Sequence, residues 1–157
     1  MSKRASSLVK TALLAGAVVL AGVGIVCALT IPGFGKGEKV KPANGAVTIA
    51  LAKVADGKAH YFRLSDNGKE IVFFVVRAAD GSVRTAFDAC DVCYREKKGY
   101  EQQGSFMLCR NCRKKFAIDR IGPHEVGGCN PSYLASRLAG DNVVISVADI
   151  KGGSRFF

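Results

Sequence analysis

The sequence lacks the residue patterns of the common catalytic sites. No Ser-His-Asp constellation or pair of carboxylates stands out, there is no glycine-rich phosphate loop, and the chain has only two histidines. We therefore expect the protein not to be an enzyme. It also lacks internal repeats and low-complexity tracts, and its 157 residues are enough for one modest domain.

Acidic residues are missing from the N-terminal region, where a basic segment, residues 1–10, precedes an uncharged and largely apolar run, residues 11–35. This run is long enough to cross a hydrocarbon core about 30 Å thick. It predicts a transmembrane signal anchor or a cleaved signal peptide, the latter with Val26-Cys27-Ala28 as its cleavage site. The basic flank predicts a single pass of the cytoplasmic (inner) membrane, with the folded part on the periplasmic or extracellular side.

Residues 36–45 are rich in glycine, lysine and proline and predict a linker. Beyond them, apolar runs alternate with Asp-Gly and Asn-Gly dipeptides, which are favoured hairpin turns. We predict an antiparallel meander with strands at residues 46–55, 58–64, 70–77 and 83–87. The third strand contains six consecutive apolar residues, Ile71–Val76, which predict burial on both faces.

The second half of the chain predicts a small hairpin at residues 100–106 and a strand at residues 116–121. Asn130-Pro131 is a favourable helix start, which predicts a short helix over residues 132–139, and a final strand is expected at residues 142–150. The expected fold is thus mostly β: a small antiparallel β domain, residues 46–157, with one short helix and an N-terminal transmembrane helix.

The strongest signal is a pair of Cys-x-x-Cys motifs, Cys90–Cys93 and Cys109–Cys112, separated by fifteen residues. This is the spacing at which four thiolates converge on one metal centre. The thiolates suit zinc, a single iron or a two-iron two-sulfur cluster, and spacing alone does not choose among them. The zinc alternative makes the domain a zinc-ribbon-like structural interaction module, and a further alternative is a metal-delivery protein.

Other uses of the cysteines fit less well. Five cysteines beyond the apolar run cannot all pair in disulfides. Covalent haem needs a histidine directly after the second cysteine, where Tyr94 and Arg113 stand instead, and a thioredoxin-like redox pair needs a βαβ context. We therefore favour a metal or cluster over disulfides.

The order of strand, turn, strand, ligand pair, hairpin, ligand pair and strand resembles that of Rieske domains, with cysteine at both histidine positions. Two thiolates in place of two imidazoles predict a reduction potential below the Rieske range. An ordered set of short motifs around the cysteines further resembles the FtrD-like family of membrane iron-sulfur proteins. The set comprises Ala86–Tyr94, Lys97–Tyr100, Cys109–Cys112, Phe116, Ile121-Gly122 and Gly127–Pro131.

That resemblance implies membrane attachment, an iron-sulfur centre and association with ferrous-iron uptake through an iron permease. It makes Cys90, Cys93, Cys109 and Cys112 the metal ligands and Cys129 a possible fifth. The expected function is one-electron transfer in iron uptake or in another redox chain.

Cys129 also stands just before Asn130-Pro131, at the start of the predicted helix, where a thiolate is stabilised. His124 and His60 are not expected to bind the metal, and Tyr94 and Tyr100 are expected to pack over the site. The net charge of +10 is concentrated in part around the cysteines. We expect these cations to offset the thiolates or to dock a redox partner with an acidic face, and nucleic acid is the least favoured partner.

Overall fold

The computed structural model describes residues 36–125 and 127–157. These residues form mostly β-structure with one short α-helix, α1, at Val147–Gly152. No helix within these two ranges is long and apolar enough to span a membrane. The basic N-terminal segment and the predicted signal anchor or signal peptide lie outside the described residues.

The strands form three small sheets. Their bounds are β1 Glu38–Lys39, β2 Ala46–Ala50, β3 His60–Asp66, β4 Lys69–Arg77, β5 Val83–Phe87, β6 Tyr100–Gln103, β7 Phe106–Cys109, β8 Lys115–Ala117, β9 Arg137–Ala139 and β10 Asn142–Ser146.

Strands β3, β4 and β5 form the predicted antiparallel meander. The β3–β4 turn is Asn67-Gly68, and both residues have positive φ, at 47° and 79°, as a two-residue hairpin turn requires. The predicted linker contributes to this sheet, since β1 pairs in parallel with β3. The ends of β5 and β7 bring the chain to its two Cys-x-x-Cys motifs.

Strand β4 separates two hydrophobic cores, and Ile71–Val76 is buried along its whole length, as predicted. Ile71, Phe73 and Val75 face what we call the apolar core, together with buried side chains from β2, β3, β10 and α1. Phe74 and Val76 face the opposite side, which we call the sulfur-side core. Its buried members are Phe74, Val76, Ala78, Ala86, Cys90, Tyr100, Met107, Cys109, Ile118 and Ile121.

The prediction of β2 as a strand of the meander is wrong. This strand ends at Ala50, continues as a 3₁₀ helix over Leu51–Val54, and pairs along its whole length with β10 near the C-terminus. It thereby places Val47 and Ile49 over the apolar core. The Asp56-Gly57 turn consequently links two sheets and does not close a hairpin.

The predicted helix at residues 132–139 is also wrong, because the backbone there bonds to the edge of β5. The N–H of Phe87 donates to Ser132 O at 2.8 Å, and the N–H of Ser132 donates to Ala89 O at 2.9 Å. Leu134 N–H donates to Thr85 O at 3.2 Å. These hydrogen bonds to the β5 region satisfy backbone N–H and C=O groups that a helix would have paired within itself.

The α-helix lies instead within the predicted final strand. Strand β10 ends at Ser146, whose hydroxyl accepts a hydrogen bond from Ala148 N–H at 3.1 Å and caps α1. The predicted strand at residues 116–121 is likewise shorter than expected, because β8 ends at Ala117 and a 3₁₀ turn follows over Ile118–Arg120. One short helix is thus confirmed, but at a different place in the chain.

Candidate metal centre

The two Cys-x-x-Cys motifs occupy the ends of β-elements, in the order that the sequence predicts. Cys90 follows β5 after Asp88-Ala89, and Cys109 is the last residue of β7. The β6–β7 hairpin brings the second motif back to the segment that precedes β6, where Arg110 N–H donates to Gly99 O at 2.9 Å. Two loops distant in sequence therefore face each other.

Backbone N–H groups point at the sulfur atoms within each motif. Cys93 N–H donates to Cys90 Sγ at 3.1 Å, and the N–H groups of Asn111 and Cys112 donate to the Cys109 sulfur. A left-handed Arg113, with φ of 63°, closes the second loop by donating its N–H to Cys109 O at 2.9 Å. Such donors stabilise thiolates and tune a metal bound to them.

All five cysteines in the described part of the chain come together. The sulfurs of Cys90, Cys93 and Cys129 lie within 4.8 Å of one another, and so do those of Cys93, Cys109 and Cys112. The four Cys-x-x-Cys sulfurs do not form one such group among the described residues. Tetrahedral zinc at about 2.3 Å from each thiolate brings four sulfurs to about 3.8 Å from one another. The five sulfurs thus form two overlapping groups of three that share Cys93.

Burial divides the four cysteines into two pairs. Cys90 and Cys109, the inner pair, are 1% and 2% exposed and belong to the sulfur-side core. Cys93 and Cys112, the outer pair, are partly exposed, as is Cys129. A centre held by both pairs therefore has one end in the protein interior and the other at the surface.

The thiol pKa values differ across the site. Burial raises the pKa of Cys109 to about 11 and that of Cys129, which also faces the sulfurs of Cys112 and Cys93, to about 12. Burial also opposes ionisation of Cys112, but the N–H of Lys114 and the neighbouring sulfurs bring its pKa to about 7. Because thiolates are the ligating form, loading the site with metal releases protons.

Cys129 joins the outer pair, but not from a helix N-terminus, so that part of the prediction is wrong. Its Sγ lies 3.8 Å from Cys93 Sγ. The hydroxyl of Tyr100 donates to the Cys129 carbonyl oxygen at 2.5 Å. Gly127 and Gly128 have φ of 84° and 68°, conformations that favour glycine, and so they lead the chain to the site without a helix.

A partly buried ion pair that the sequence analysis missed supports the first loop. Lys36 Nζ lies 2.9 Å from Asp88 Oδ1, and the same oxygen accepts the N–H of Tyr100 at 2.8 Å. Gly99 fits against this carboxylate, where an added Cβ would lie 2.3 Å from an Asp88 oxygen. The available signal was Asp88 itself, an acid two residues before Cys90, but its partner Lys36 lies in the predicted linker.

The other candidate residues have separate places. His60 bonds Asp56 at 2.7 Å, and His124 is exposed in a loop; neither belongs to a metal-ligating group within the described ranges. Tyr100 is buried beside Phe116, with its ring centre 6.4 Å away. Tyr94 packs edge-on against Phe156 at 5.8 Å.

A cleft of about 570 Å³ opens beside the two loops. Cys90, Cys93 and Cys109 line it together with more cationic than anionic side chains. The lining cations are Lys36, Lys69, Lys97, Lys98 and Arg110, and the lining acids are Glu70 and Asp88.

Solved structures similar to this chain include the quaternary ammonium Rieske monooxygenase CntA in complex with the inhibitor MMV12. The identity is 14% and the TM-score 0.42, over 62% of this chain and 29% of that chain. A chain of the reduced complex between oxygenase and ferredoxin in carbazole 1,9a-dioxygenase is 15% identical, with a TM-score of 0.42, over 66% of this chain and 28% of that chain. This chain thus matches less than a third of either one.

No curated protein matches the chain. The family model described as "Membrane iron-sulfur containing protein FtrD-like" matches residues 54–157, a range that includes all five cysteines described above. The resemblance found in the sequence is therefore confirmed, and the chain belongs to the FtrD-like family of membrane iron-sulfur proteins.

Proposed function

We propose that the protein is a one-electron carrier, not an enzyme, with an iron-sulfur cluster held by Cys90, Cys93, Cys109 and Cys112. The observation that carries this proposal is the division of the four sulfurs into a buried inner pair and a partly exposed outer pair. Electron transfer needs a centre that is shielded from water and yet close to the surface where a partner docks. The two pairs meet both requirements.

A two-iron two-sulfur cluster fits this ligand set. When bound, such a cluster accepts and donates single electrons. By the motif order, the inner pair takes the cysteine positions of a Rieske-type site and the outer pair takes its histidine positions. The N–H groups of Cys93, Asn111 and Cys112 stabilise the charge on the sulfurs of Cys90 and Cys109.

The cellular setting belongs to the same proposal. Because the family is described as membrane proteins, we place the domain on the periplasmic or extracellular side of the cytoplasmic membrane, attached by residues 11–35. There it would pass electrons in ferrous-iron uptake through an iron permease or in another redox chain. The basic flank of the apolar run supports this orientation.

The basic cleft, which Cys93 lines together with Cys90 and Cys109, supports a partner with an acidic docking face. Lys97, Lys98 and Arg110 are exposed, and none of them forms an ion pair in the part of the chain that the structure describes. Complementary charge accelerates association and orients the two proteins. The partner would thus dock beside Cys93 and the first Cys-x-x-Cys loop.

The function is tested by purifying the whole chain anaerobically in detergent and measuring iron, acid-labile sulfide, zinc and the visible spectrum of one sample. We expect iron with sulfide, bands that bleach with dithionite, and a reduction potential below about −150 mV, the lower end of the Rieske range. A colourless protein with stoichiometric zinc would overturn the proposal.

The partner is tested with a small acidic redox protein as electron donor. Lys98→Glu and Arg110→Glu should each slow cluster reduction and weaken its dependence on ionic strength. Lys58→Glu is the matched control, because Lys58 is exposed but does not line the cleft. Equal slowing by all three variants would indicate a general charge effect and no docking site.

A further inference from the structure

The site contains one more thiol than a four-thiolate cluster requires. Cys129 Sγ is 3.8 Å from Cys93 Sγ and is in the same close group as Cys90. Cys109 belongs to a different group, with Cys93 and Cys112, and that group does not include Cys129. The fifth sulfur is therefore beside the exposed end of the site and away from Cys109.

The backbone holds Cys129 firmly on its C-terminal side. The buried Tyr100 donates its hydroxyl to the Cys129 carbonyl oxygen, and Ser132 N–H donates to Ala89 O beside the first motif. Tyr100 is itself fixed, since its N–H donates to Asp88 at 2.8 Å. The sulfur is thus kept at the site by contacts that would remain if Cys93 were lost.

The N-terminal side of Cys129 is built differently. Gly127 and Gly128 are exposed, have positive φ, and have no heavy atom within 4 Å of the position where a Cβ would stand. A side chain added at either glycine would therefore meet open space. A small backbone rotation there can turn the sulfur toward or away from Cys93.

We propose that Cys129 is an exchangeable ligand that takes the place of Cys93 at the exposed end of the cluster. The inference rests on the proposed function, since it requires a cluster. In the exchange one iron–sulfur bond to Cys93 breaks and one to Cys129 forms, and the proton released by Cys129 passes to Cys93. No electron is gained or lost, and the number of thiolate ligands stays the same.

The exchange preserves the centre at one of its partly exposed positions. Cys93 is partly exposed, and a thiolate at the surface is open to oxidation or alkylation. Cys109 is 2% exposed and has no spare sulfur in its group. We therefore expect Cys93 to be replaceable and Cys109 not.

The test uses alanine variants, because a serine oxygen can itself bind iron. Iron, sulfide and the EPR spectrum of the dithionite-reduced protein are measured for wild type, Cys93→Ala, Cys129→Ala, Cys109→Ala and the Cys93→Ala/Cys129→Ala double variant. Cys93→Ala should retain most of the iron and sulfide with an altered EPR signal. The double variant and Cys109→Ala should lose them, and circular dichroism shows whether each variant is folded.

Alkylation gives a second readout. In the cluster-loaded wild type, iodoacetamide should label Cys129; in loaded Cys93→Ala the same thiol should be protected. Loss of the cluster from a folded Cys93→Ala, as complete as from the double variant, would overturn the exchange but leave the proposed function intact. A Cys93–Cys129 disulfide in the loaded wild type would also overturn it. Wild type with zinc and no sulfide would overturn both.

Discussion

The two cores on either side of β4 differ in size and in chemistry, and the apolar core is the larger. The apolar core is closed by hydrocarbon side chains from five of the described strands and from α1, with Phe62 stacked on Phe73 at 5.8 Å. The sulfur-side core contains Cys90 and Cys109 and borders three more cysteines. None of the five described cysteines belongs to the first core, whereas the second includes thiols that we propose as cluster ligands. The proposal thus assigns the metal centre to one face of β4 and the larger apolar core to the other.

Removing the metal should change local stability more than any other perturbation, and only on the side of β4 that faces the sulfur-side core. In cluster-free protein we expect amide hydrogen exchange to accelerate strongly across β6, β7, β8 and the two Cys-x-x-Cys loops. Strands β3, β4 and β10 should stay protected, because the apolar core does not use the thiolates. Mass spectrometry of exchanged peptides checks this, and equal acceleration on both sides would contradict the division.

Two adjacent phenylalanines sharpen the comparison, since Phe73 and Phe74 are both fully buried but face different cores. Phe73→Ala should lower the free energy of unfolding by about 3–5 kcal/mol in loaded and cluster-free protein alike. Phe74→Ala should cost a similar amount only in the loaded protein, because its core loosens without metal.

Denaturant titration of both forms measures these costs. The decisive quantity is the difference between loaded and cluster-free protein for each variant. If Phe74→Ala costs the same in both forms, the sulfur-side core does not depend on the metal.

A smaller effect is expected at the glycine that fits against Asp88. Gly99 and Gly104 both have positive φ, at 64° and 60°, so alanine costs about 1–2 kcal/mol at either place through the backbone. Only at Gly99 would the new Cβ also meet Asp88, at 2.3 Å, whereas nothing lies within 4 Å at Gly104. Gly99→Ala should therefore destabilise the protein more than Gly104→Ala and also lower iron content, and equal effects would show that the Asp88 contact is unimportant.

The smallest effect is expected at the β4–β5 turn, away from the sulfurs. Hydrogen bonds from Ser82, and then Arg84, hold the pKa of Asp80 below its usual value of 3.8. A carboxyl whose pKa is lower in the folded state than in the unfolded state stabilises the fold when the pH is above the unfolded-state pKa. This stabilisation is lost as the pH falls through the folded-state pKa. In cluster-free protein, the free energy of unfolding should thus fall slightly less on acidification for Asp80→Asn than for wild type. An unchanged profile in urea titrations would contradict it.

The candidate site was predictable from the sequence to the extent that its signals are local. The Asn67-Gly68 turn and the apolar run Ile71–Val76 each depend on neighbouring residues, and each occurs as predicted. The two Cys-x-x-Cys motifs are local signals too, and the structure brings their loops together, while their role as ligands stays a prediction. The helix predicted after Asn130-Pro131 also had a local signal, but β5 offers an unpaired edge that binds this segment instead. A start signal alone does not outweigh hydrogen bonds to a neighbouring strand.

The sequence by itself determined the spacing of the cysteines, the mostly β class and the family to which the chain belongs. Only the tertiary structure decided that β2 pairs with β10, that Lys36 neutralises Asp88, and that Cys129 lies beside Cys93 and not Cys109. The physical reason is range: turns and metal-binding loops are encoded by residues a few positions apart. Contacts between distant segments depend on which edges, charges and sulfurs the rest of the fold leaves without a partner.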